Sequence, residues 1–84
     1  MSEINWNTTA PNRPSRHAYL PGGFVAYVTP YENGESIVTV ARMYRVGHEP
    51  HIGVEVRMLV PDGAVDGVIP KLVDIVKTIP TRLP

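Results

Sequence analysis

"FVAYVTPYENGESIVTVARMYRV", residues 24–46, decides how this chain folds. Two alternating runs rich in β-branched residues flank Asn33-Gly34. Asn-Gly in that setting specifies a hairpin, because a type I′ turn requires positive φ at both central positions. With Asn33 and Gly34 as a two-residue loop, Glu32 faces Glu35, Thr29 faces Val38, Tyr27 faces Val40 and Val25 faces Arg42. The second run poses a problem of its own. Ile37, Thr39, Ala41, Met43 and Arg45 alternate with Val38, Val40, Arg42, Tyr44 and Val46, and both sets are largely apolar. A sheet with one solvated face needs only one apolar set, so something must cover the other.

After Val46, "VGHEPHIG" carries turn residues at Gly47 and Pro50, and "IGVEVRMLV" alternates cleanly. Placing Val46 opposite His51 sets Arg42 opposite Glu55 and Thr39 opposite Met58, a register that pairs opposite charges. "PDGAVDG" follows as a turn region, and "VIPKLVDIVKTIP" reads as a helix. Val65, Val68, Ile69, Leu72, Val76 and Ile79 recur at helical spacing. Asp66 is the expected N-cap. A start near Gly67 places Pro70 in the first turn, where its missing N–H costs no intrahelical bond. Pro80 ends the helix, and Lys77 suits its C-terminal dipole. The many β-branched residues lower helix propensity, so packing must hold this element.

Residues 1–17 are polar, broken by Pro11 and Pro14, and show no periodicity. They read as a flexible arm ahead of one small domain over residues 18–84. Trp6 stands out there, because a lone tryptophan is costly to leave in water and can dock on the domain or on a neighbouring subunit. The expected fold is therefore α+β: a three-stranded antiparallel β-meander packed on one C-terminal α-helix, with an extended N-terminal arm.

These registers sort the strands into two faces. Phe24, Ala26, Val28, Ile37, Thr39, Ala41, Met43, Val54, Val56, Met58 and Val60 form a core beneath the helix. Val25, Tyr27, Thr29, Val38, Val40, Arg42, Tyr44, Glu55, Arg57 and Leu59 form the second face. Its mixture of aromatic, aliphatic and arginine residues is the mixture enriched at protein interfaces. Exposed apolar patches of that extent mark interaction sites. The expected contact residues are Tyr27, Val38, Val40, Arg42, Tyr44, Arg57 and Leu59, with Trp6 as the docking residue of the arm.

Composition narrows the function. Eighty-four residues make one domain, small enough to gain from self-association. The chain has no cysteine, which excludes disulfides and thiolate metal sites. Eight basic and eight acidic residues leave no broad positive field for duplex DNA. No apolar run is long enough to cross a bilayer, and the N-terminus lacks an apolar signal core. A cytoplasmic protein without membrane or cofactor is expected.

Catalytic signals are weak. His48, Glu49 and His51 cluster in "HEPH", but zinc in a structural site takes four ligands and the remaining histidine, His17, is distant in sequence. Ser2, Ser15 and Ser36 lack a nucleophile-elbow context. Glu32 and Glu35 flank an exposed turn with no apolar pocket to raise either pKa. Gly22-Gly23 opens no helix, as a phosphate loop would. The expectation is a non-enzymatic module, a homodimer or an adaptor or inhibitor of a larger protein, working through its second face. The alternative is a single-strand nucleic-acid binder stacking bases on Tyr27 and Tyr44 beside Arg42 and Arg57, with help from Arg13 and Arg16.

Overall fold

The computed structural model describes residues 4–10 and 13–80. The remainder of the N-terminal segment, the side chains of residues 8–10, 13 and 14, Arg13 among them, and the tail after Pro80 lie outside the described residues. Among the described residues, five antiparallel strands form one sheet in sequence order: β1 (Asn7–Ala10), β2 (Arg13–Leu20), β3 (Phe24–Pro30), β4 (Glu35–Val46) and β5 (Glu49–Pro61). A 3₁₀ turn (Asp62–Ala64) leads into α1 (Val65–Thr78), which crosses one face of the sheet.

The expected three-stranded meander is thus too small. Residues 13–20, assigned partly to the arm, form a fourth long strand, and Asn7–Ala10 add a short fifth at the edge. β2 reaches β3 through Pro21-Gly22-Gly23, whose two glycines adopt φ of 88° and 85°. "PGG" between an alternating "SRHAYL" and "FVAYV" was a hairpin signal, obscured by the prolines and polar residues upstream.

The β3–β4 turn has the expected backbone, with Asn33 at φ 55° and Gly34 at φ 73°. The register does not follow from it. Tyr31 N–H donates to the Glu35 carbonyl at 2.9 Å, and Glu35 N–H donates to the Glu32 carbonyl at 3.0 Å. Two residues, Tyr31 and Glu32, therefore oppose Glu35, a bulge that shifts every later pair by one. Thr29 meets Ile37, Tyr27 meets Thr39 and Val25 meets Ala41. The β4–β5 register also departs from expectation, by one where Thr39 pairs with Arg57 and by two beyond an irregularity at Arg42, where Val46 pairs with Glu49. A one-residue slip exchanges the two faces of a strand, and here it does so for β4.

Val38 and Val40 consequently lie in the core, fully buried, with Phe24, Ala26, Val28 and Val60. From α1, Val65, Ile69, Leu72 and Val76 close this layer. Burying a side chain of this size contributes about 1.5–3 kcal/mol relative to leaving it exposed. Packing of that strength holds a helix whose sequence is poor in helix formers. α1 begins at Val65 with Ala64 as N-cap and no side-chain cap, so Asp66 is a first-turn residue and not the cap. Pro70 then falls in the second turn, and its missing N–H leaves the Asp66 carbonyl without an intrahelical donor. Asp66 is exposed, so water can satisfy that oxygen. At the other end Ile79 turns extended before Pro80, and its N–H donates to the Val76 carbonyl at 3.1 Å.

Trp6 lies against the core cluster with Ile4. Its indole N–H donates to Asp66 Oδ1 at 3.2 Å, and the Arg16 guanidinium sits 4.9 Å from the ring centroid. The N-terminal segment is thereby tied to the first turn of α1. A second tie joins the β3–β4 turn to the helix entry, where buried Ser36 donates to Asp62 Oδ1 at 2.6 Å and Asp62 N–H donates to the Gly34 carbonyl.

Candidate functional site: the uncovered sheet face and its free edge

The face away from α1 is built from cross-strand rows that the registers define. Tyr19, Val25, Ala41 and Glu55 make one row. Asn7, His17, Tyr27, Thr39 and Arg57 make the next, followed by Thr29, Ile37 and Leu59. Val25 and Ala41 are fully buried although neither belongs to the helix-side cluster. Toward β5 the rows open into a shallow depression lined by Tyr27, Thr29, Ile37, Thr39, Glu55 and Arg57.

An aromatic group occupies the β2 end of this face. The His17 ring meets Tyr19 edge-on at 5.6 Å and lies tilted toward Tyr27 at 6.2 Å. Tyr19 is 66% exposed and Leu59 is 47% exposed. On the β5 side, Arg57 donates to Glu55 Oε1 at 3.0 Å. Both side chains of that pair are well exposed, so it contributes little to stability.

The seven expected contact residues separate into three places. Tyr27, Arg57 and Leu59 share the uncovered face. Val38 and Val40 are buried under α1 and cannot touch a partner in the folded chain. Arg42 and Tyr44 lie on the helix side, near the end of α1, where they line a hollow with Gly22, Lys77, Ile79 and Pro80. There the Arg42 guanidinium packs 5.4 Å from the Phe24 ring centroid, with Lys77 Nζ 5.9 Å from the same ring. His17 falls in the segment expected to be arm and Tyr19 beside the expected turn at Pro21-Gly22-Gly23, so neither is among the expected contact residues; their alternation with Arg16, Ala18 and Leu20 is the available signal.

The histidine turn is polar and shallow. His51 stacks on Tyr44 at 5.6 Å, with its Nε2 3.7 Å from Glu49 Oε2, while the His48 carbonyl accepts from Arg45. Among the described residues, no three or more His, Cys, Asp or Glu side chains gather where they could hold a metal ion. No helix among them is long and apolar enough to cross a membrane.

β5 ends the sheet, with no strand beyond it among the described residues. Its backbone orientation follows from the ladder. Met43 N–H donates to the Gly23 carbonyl, and Glu35 bonds toward Tyr31 and Glu32, so odd residues of β4 face β3. Ser36, Val38 and Val40 therefore face β5, pairing with Val60, Met58 and Val56. The intervening Glu55, Arg57 and Leu59 aim their N–H and C=O groups outward. These three residues present both side chains on the uncovered face and unpaired backbone at its rim.

Comparison with known proteins finds no matching family model, no matching curated protein and no matching solved structure.

Proposed function

We propose that this protein acts by binding and not by catalysis: it is a small interaction module whose first partner is a second copy of itself. The observation that carries this reading is the free β5 rim beside an outer sheet face on which no helix packs, with Tyr19, Ile52 and Leu59 exposed. Apolar groups and unpaired strand backbone on one surface are the two features that draw protein surfaces together. Assembled, the module presents the aromatic group of His17, Tyr19 and Tyr27 to a larger protein. Basic residues do not support a nucleic-acid groove as well, because Arg42 lies across the sheet from Tyr27 and Arg57 is engaged by Glu55.

The test is solution mass by light scattering behind a sizing column, over a wide range of concentrations. A dimer or closed small assembly that dissociates on dilution supports the reading. A strict monomer throughout refutes it.

A further inference from the structure

Taking self-association as its premise, we infer that two copies join through their β5 edges, antiparallel about a two-fold axis, with Val56 opposite Val56 of the second copy. The argument rests on register arithmetic. Only Glu55, Arg57 and Leu59 offer outward backbone in the straight part of β5, so the paired residues come from this set. Pairing centred on Arg57 sets Arg57 against its own copy, and pairing centred on Glu55 sets carboxylate against carboxylate. Like charges directly opposite one another across strands destabilise the pair. Centring on Met58 or Leu59 brings Pro61, which has no N–H, into the ladder opposite Glu55 or Arg57. Centring on Val56 alone sets Glu55 against Arg57 of the second copy, and reciprocally. Each such pair exchanges both backbone hydrogen bonds and joins opposite charges. In the same register Met58, 40% exposed on the other side of the strand, comes beside Val54 of the second copy.

The ends of β5 fit a short, closed contact. Pro50 and Pro61 carry no N–H. Ala41 pairs with Glu55 but Met43 pairs with Ile52, so Gly53 and Val54 together oppose Arg42 and the strand bends there. Gly53 suits this bend, since a Cβ added to it would stand 3.4 Å from the Tyr44 ring. Pairing is confined to the segment between the bulge and Pro61. The two sheets then become one, and their uncovered faces become one continuous surface.

The absence of cysteine gives a clean experiment. Val56→Cys, oxidised at dilute concentration, closes into a disulfide-linked dimer on a non-reducing gel, because facing non-hydrogen-bonded residues lie about 4.5 Å apart at Cα. Met58→Cys alone does not close. Glu55→Arg and Arg57→Glu, both at exposed positions, each weaken dimerisation about tenfold, and the double exchange restores it. Those exchanges remain decisive if Val56→Cys folds poorly. A dimer that closes through Arg57→Cys or Glu55→Cys, and not Val56→Cys, overturns the register and leaves self-association standing. A dimer indifferent to the charge exchanges overturns the edge pairing. A protein monomeric at every concentration overturns both.

Discussion

Val40 and Leu59 are branched aliphatic residues on adjacent strands of one sheet, yet Val40 is 0% exposed and Leu59 is 47% exposed. Neither local propensity nor hydrophobicity separates them. The difference is that α1 packs over Val40, whereas no element among the described residues packs over Leu59. The helix-side face is a private core, closed by Val65, Ile69, Leu72 and Val76. The outer face mixes Val25 and Ala41, already hidden within the chain itself, with Tyr19 and Leu59, which stand exposed.

The strongest way to break this contrast is Val40→Glu. A carboxylate beneath α1 costs several kcal/mol, comparable with the whole stability of a domain, about 5–15 kcal/mol. The variant should lose its cooperative thermal transition by circular dichroism. A folded Val40→Glu would mean that the faces are misassigned. A matched pair sharpens the same point. Leu72→Ala should cost about 2–5 kcal/mol in urea unfolding, whereas Leu59→Ala should stay within about 0.5 kcal/mol when the monomer is measured.

Trp6 tests the edge of the covered face. Trp6→Ala removes a half-buried ring and its bond to Asp66, with an expected loss of about 1–2 kcal/mol in the same urea assay. Equal stability of wild type and variant would place the N-terminal segment off the domain in solution. The smallest effects come from two glycines that differ in backbone. Gly67→Ala in α1 meets nothing within 4 Å and should stabilise by about 0.5–1 kcal/mol. Gly34→Ala, at φ 73°, has equal room but the wrong backbone, and should destabilise by about 1 kcal/mol.

Much of this was legible in the sequence. The periodicity of Val65, Ile69, Leu72 and Val76 located the helix and its buried stripe, and Asn33-Gly34 located the turn and its positive φ values. What the residues could not disclose was the bulge. Turn chemistry concerns Asn33 and Gly34 alone, whereas register also depends on whether Glu32 or Tyr31 makes the closing bond to Glu35. Both alternating sets of β4 are apolar enough to be buried, so the pattern could not arbitrate. The candidate site inherited that ambiguity, and Val38, Val40, Arg42 and Tyr44 were assigned to the wrong side as a block. β2 was hidden for a different reason. Its proline and two arginines lower strand propensity, and its pairing with β3 is a tertiary gain that no local window contains.

The bulge at Tyr31-Glu32 works as a parity setting for the whole second half of the sheet. Deleting one of the two residues would remove the bulge yet leave Thr29 against Ile37 and Tyr27 against Thr39, because the residue that remains would still face Glu35. The faces exchange only if both residues stay and the turn closes regularly, with Glu32 against Glu35: β4 would then offer Ile37, Thr39, Ala41 and Met43 to the helix in place of Val38 and Val40. Both sets are mostly apolar, so such a slip need not abolish a core; it would exchange what is hidden for what is shown. Arg42 and Tyr44 would turn to the outer surface, and Thr39 would leave it. The choice of which residue closes one turn thus decides which half of β4 the molecule displays.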